Sequence, residues 1–84
     1  MKCYVYKCSR RADTYLYLRE REGFDLLPEL LRKQLGELAF VLEVELSPQR
    51  RLAQADAGVV MAALAANGYY LQLPPDAVSL LAHD

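Results

Sequence analysis

Eight residues near the end of the chain, Gly68-Tyr69-Tyr70-Leu71-Gln72-Leu73-Pro74-Pro75, restrict the fold more than any other stretch. Gly68 follows the uncharged run 57–66 and Asn67, where a helix closing in a left-handed residue wants a side chain without Cβ. Tyr69, Tyr70 and Leu71 then favour a pleated, half-buried surface. Alternation puts Tyr69, Leu71 and Leu73 on one face and Tyr70 and Gln72 on the other. Pro74 and Pro75 lack the N–H that a ladder needs, so strand pairing stops there. Two readings of this junction follow. It is an aromatic piece of core, or it is a groove lined by Tyr70 and Gln72, whose hydroxyl and amide both need partners once covered.

Upstream, residues 2–8 (KCYVYKC) alternate as a strand, with Cys3, Val5 and Lys7 on one face and Tyr4, Tyr6 and Cys8 on the other. The polar stretch 9–13 breaks the pattern as a turn of hairpin length. A second strand over 14–20 puts Tyr15 and Tyr17 opposite Leu16 and Leu18. Apolar groups on both faces of both strands require both faces of the sheet to be covered. After a loop at 21–23, Asp25 is read as a helix N-cap and Pro28 as a first-turn residue. Leu27, Leu30, Leu31 and Leu35 follow at helical spacing, and Gly36 ends the helix.

Residues 39–46 (AFVLEVEL) read as a third strand, with Phe40, Leu42, Val44 and Leu46 on one face and Ala39, Val41, Glu43 and Glu45 on the other. Glu43 and Glu45 stand side by side, as paired carboxylates for acid–base work would, but a solvated strand edge explains them without chemistry. Two helix starts follow, Ser47-Pro48 and Asp56. Asp56 is preferred, with 49–55 as a connecting turn. Val60 and Leu64 form the core stripe of that helix, and Met61, Ala62, Ala65 and Ala66 spread apolar surface around it. A helix between strands 39–46 and 69–73 predicts a parallel, right-handed βαβ unit. Asp76 caps a last short helix over 77–82.

Charge and cysteine usage exclude several classes. The net charge is −1 in 84 residues, too acidic for a dedicated nucleic-acid domain. Through residue 35 there are eight Lys/Arg against five Asp/Glu, and from 36 onward two against six, so the basic excess lies at the N-terminal hairpin. No apolar run reaches the ~20 residues of a membrane span, and no secretory signal is read in residues 1–15. Cys3 and Cys8, five positions apart on one strand, face opposite sides and do not bridge each other. One terminal histidine, His83, and two divergent cysteines supply neither a zinc site nor a nucleophile pair. Gly23, Gly36, Gly58 and Gly68 form no phosphate-binding loop.

The octapeptide, together with Asp13 to Leu18 (DTYLYL), Cys3 to Arg11 (CYVYKCSRR) and Leu52 to Asp56 (LAQAD), resembles the YcgL-domain family of small bacterial proteins over nearly the whole chain. The resemblance implies an α/β/α sandwich and assigns no reaction, cofactor or catalytic residue. Combined with the residue pattern, it predicts a single α+β domain over 1–84. The expected element order is β-β-α-β-α-β-α, in a mixed sheet with an N-terminal hairpin and a βαβ unit.

The expected function is a cytoplasmic, non-catalytic interaction or accessory module. It works on another protein, without cofactor, metal or membrane. The alternative is weak RNA or nucleotide binding through the hairpin turn. The candidate surface for either is Lys7, Arg10, Arg11, Tyr15, Tyr17, Tyr70 and Gln72, with Arg50 and Arg51 as possible helpers. A helix-buried tyrosine face argues against base stacking.

Overall fold

The computed structural model describes residues 1–50, 52 and 56–74. The expected helix over 77–82, together with Arg51, Pro75 and His83, lies outside the described residues. The described residues form a small α+β fold, a four-stranded antiparallel sheet with two α-helices. Its elements run β1 (Lys2–Cys8), β2 (Tyr15–Leu18), a 3₁₀ turn (Phe24–Leu26), α1 (Glu29–Leu35), β3 (Leu38–Glu45), α2 (Ala57–Asn67) and β4 (Tyr69–Gln72).

The strand order is β3-β1-β2-β4, and every neighbouring pair is antiparallel. This corrects the mixed sheet and the parallel βαβ unit. β3 adds to the free side of β1, and β4 to the free side of β2. The connection through α2 therefore spans the whole sheet instead of joining neighbours. The N-terminal hairpin is as expected, and it occupies the centre.

Each face carries its own core. On one side Cys3, Val5, Tyr17, Val44 and Leu46 pack with Val60 and Leu64 of α2. On the other, Tyr6, Cys8, Leu16 and Leu18 pack with Leu27 and with Leu35 of α1. The alternation expected for β1, β2 and β4 is the one observed.

β3 departs from it. Tyr6 pairs with Phe40 and Val5 with Leu42, so Val41 is an extra residue, and the register shifts there. A bulge of this kind interrupts strict alternation. Phe40 consequently stacks edge-on against Tyr6 at 5.7 Å on the α1 side, while Val44 and Leu46 enter the α2 core. The single apolar face expected over 40–46 is therefore divided between the two sides.

Two helix boundaries show how local chemistry decides. Asp56 is the N-cap of α2, its carboxylate accepting from the Val59 N–H at 3.1 Å, which settles the choice between the two candidate starts. At the other end Gly68 is left-handed (φ 85°), and its N–H donates to the Leu64 carbonyl at 2.9 Å. Arg19 adds a guanidinium bond to that same carbonyl at 3.3 Å. α1 begins later than Asp25. The residue before a proline is driven extended, and Leu27 sits at ψ 136°, so Asp25 falls in the 3₁₀ turn and Pro28 becomes the cap position.

Candidate functional site

The sheet brings five of the seven candidate residues onto the face that α2 packs against. Lys7 pairs with Tyr15, and Tyr15 with Gln72; in the next rows Val5 pairs with Tyr17, and Tyr17 with Tyr70. Paired residues of antiparallel strands share a face, so Lys7, Tyr15, Tyr17, Tyr70 and Gln72 form one contiguous patch.

Much of that patch is closed. Tyr17 is 6% exposed and Gln72 8%, and the Tyr17 hydroxyl donates to Gln72 Oε1 at 3.0 Å. Tyr70 meets the Tyr17 ring edge-on at 5.9 Å. Burial raises the phenol pKa of Tyr17, and the neighbouring Cys3 and Tyr70 push the same way. The polar demand of Gln72 is thus met inside the core, which favours the aromatic-core reading of the octapeptide. Tyr15 and Tyr70 stay half-buried at the margin, and Lys7 is exposed.

Arg10 leaves this patch. Its backbone N–H donates to the Leu35 carbonyl at 3.1 Å, and its side chain lies along Gly36 at the end of α1. Arg11, also exposed, partly offsets the burial that raises the Cys8 thiol pKa. The two arginines therefore belong to the α1 end of the hairpin, apart from the tyrosines.

Both cysteines are free and buried. Burial pushes the Cys3 thiol up to about 11, only partly offset by the N-terminal ammonium and Arg50. Thiols held protonated in this way are packing groups at neutral pH. Among the described residues, no three His, Cys, Asp or Glu side chains stand close enough to share a metal ion. No helix among them is long and apolar enough to cross a membrane.

The surface that the residue pattern did not single out is β3. Among the described residues it is an edge strand, paired with β1 alone. Phe40, Val41 and Leu42 are 42%, 44% and 44% exposed. Arg21 caps the Phe40 ring, its guanidinium carbon 4.4 Å from the centroid. Glu43 and Glu45, solvated as a strand-edge reading requires, meet Lys2 at 3.8 Å and the N-terminal ammonium at 3.0 Å. Their presence within an apolar run was the one signal in the residues that pointed to an edge.

A four-stranded antiparallel sheet with a core on each face, and among the described residues an acidic, apolar edge at β3, makes this a small α+β domain. The YcgL domain pattern matches residues 3–75, and the chain belongs to that family. It is 53% identical over 78 residues to a YcgL domain-containing protein of Xanthomonas campestris, covering 93% of this chain and 91% of the relative. A relative from Xanthomonas euvesicatoria is 54% identical over 74 residues, covering 88% and 86%. One from Stenotrophomonas maltophilia is 48% identical over 81 residues, covering 96% and 94%.

Proposed function

We propose that the chain is a cytoplasmic, non-catalytic interaction module that docks a protein partner along β3 by strand addition. The observation that carries this reading is the trio Phe40, Val41 and Leu42, three consecutive large apolar residues at 42–44% exposure on an edge that no second strand pairs among the described residues. Soluble folds usually blunt such edges with charges and bulges. β3 carries both, at Glu43, Glu45 and Val41, yet its apolar centre stays accessible, as strand-addition sites require.

Charge selects the occupant. Residues 37–46 contain Glu37, Glu43 and Glu45 and no lysine or arginine. Glu43 and Glu45 are met within the chain by Lys2 and the N-terminal ammonium, in part-exposed pairs that screen their charge without removing it. A second copy paired edge to edge would still crowd six carboxylates along one seam, and like charges across strands destabilise pairing. The occupant is therefore an extended segment of another protein, apolar at its centre and basic at its flanks. Covering the half-exposed side chains yields on the order of 1 kcal/mol each, and each new backbone hydrogen bond about 1 kcal/mol. Association costs several kcal/mol, so the basic flanks decide whether binding is measurable.

Selection of a displayed random-peptide library against the folded protein tests this. Enriched peptides should carry alternating apolar residues flanked by Lys or Arg, and their binding should be lost in Val41→Lys. Peptides that bind Val41→Lys as well as the parent, or a concentration-dependent doubling of mass with no peptide enriched, would refute it.

A further inference from the structure

A second surface lies at the other end of the hairpin. A cleft of about 1110 Å³ opens between the β1–β2 turn, the 3₁₀ turn and α1, lined in part by Ser9, Arg10, Phe24, Arg32 and Lys33. Its charges are unevenly matched. Lys33 is taken by Glu29 at 3.7 Å, and Glu37 also lines the wall. Neither Arg10 nor Arg32 has an ion-pair partner among the described residues. Two guanidiniums therefore face the cleft against one uncommitted carboxylate.

Arg10 is held there by the backbone. The Ser9 N–H donates to the Glu37 carbonyl at 2.9 Å and the Arg10 N–H to the Leu35 carbonyl at 3.1 Å, which fixes the turn to the end of α1. Gly36 stands at φ 77°, and a Cβ there would come within 2.6 Å of Arg10 Cγ and 2.5 Å of Ser9 Oγ. The stem of Arg10 thus fills space that only glycine leaves open. Ser9 Oγ accepts from the Glu37 N–H at 2.8 Å, so its own proton remains free to donate. Phe24 leans edge-on against Tyr6 at 5.0 Å, half-buried, and presents the rest of its ring to the cleft.

We infer that this cleft binds a phosphate monoester carried on a planar ring, the chemistry of a nucleotide. Arg10 and Arg32 take the phosphate, with Ser9 donating to it, because guanidinium forks match phosphate oxygens. Phe24 takes the ring by stacking, as aromatic residues do for bases. Arg32 and Lys33 also sit at the negative end of α1, which claims part of their field, so affinity is modest and falls with salt. The site touches β3 only at its first residue, Leu38, and at the preceding Glu37, and it uses none of Phe40, Val41 or Leu42. It also differs from the tyrosine patch expected to serve nucleotide binding, since it uses Arg10 without Tyr15, Tyr17 or Tyr70.

The ligand chemistry has two sources, a free nucleotide or the 5′-phosphorylated end of an RNA strand. Titration of the isotope-labelled protein with AMP, adenosine, inorganic phosphate and a short oligoribonucleotide, with and without its 5′-phosphate, separates them. AMP should shift the amides of Ser9, Arg10, Phe24 and Arg32, phosphate should do so more weakly, and adenosine should do nothing. Arg10→Met and Arg32→Met should each weaken AMP roughly tenfold or more, while Arg50→Met changes nothing. A phosphorylated oligonucleotide that outbinds AMP, with its unphosphorylated form inert, assigns the site to strand ends; equal affinity assigns it to free nucleotide. No shift with AMP up to ~10 mM, or affinity unchanged in both folded arginine variants, overturns the inference.

Discussion

Leu16→Ala and Leu64→Ala each destabilise the protein by about 2–5 kcal/mol, the range for truncating a buried leucine. Both side chains are fully buried, but they occupy different cores. Leu16 packs on the α1 side with Leu18 and Leu35, and Leu64 on the α2 side with Val60 and Cys3. Residues without shared partners act nearly independently. Urea unfolding of the two single variants and the double variant should give losses that add to within ~0.5 kcal/mol. A domain of this size holds ~4–12 kcal/mol in all, so the double variant should stand near its unfolding midpoint without denaturant. Strong coupling would mean one shared core and would contradict the division of the sheet into two faces.

Gly68→Val should cost about 2–3 kcal/mol and lower Tm by roughly 10 °C. A left-handed conformation costs an L-residue about 1–2 kcal/mol, more when it is β-branched. A Cβ at Gly68 would also come within 2.5 Å of Leu26 Cδ1. Leu26 is an exposed side chain and can swing aside, which limits the second contribution. Gly68→Ala should lose about half as much. Calorimetry showing an unchanged Tm for the valine variant would remove the helix stop from which β4 starts.

What the residues disclosed and what they hid divide along a physical line. Asp56, Gly68 and the alternation of β1, β2 and β4 were legible because a cap, a left-handed residue and a two-residue repeat are settled by near neighbours. Asp25 as N-cap and Pro28 as a first-turn residue start the first helix about one turn too early, because a proline drives the residue before it extended and Leu27 obeys. Strand order was not legible. Whether β3 lies beside β4 or on the far side of β1 depends on contacts between distant residues, and a helical connection suits either arrangement.

The bulge at Val41 was hidden for a related reason. Phe40, Leu42, Val44 and Leu46 recur at every second position, and only the partner strand reveals that one residue is left over. The exposure of Phe40, Val41 and Leu42 followed from both misses, because an apolar run on an edge has the same composition as one in a core. The candidate surface fared unevenly for similar reasons. Tyr15, Tyr17, Tyr70 and Gln72 do converge, as their strands dictate, but helix packing closes Tyr17 and Gln72. Arg10 is drawn to α1 by backbone bonds that leave no mark in the sequence.

The open edge is tested most directly by amide hydrogen exchange on the dilute, unliganded protein. Among the described residues β1 is bonded on both sides and β3 on one. The amides within β1 should therefore all exchange slowly, while alternate amides of Leu38–Glu45 exchange at nearly the rate of free peptide. Uniform protection along β3 would contradict the account, since it would mean that this strand already lies inside a sheet.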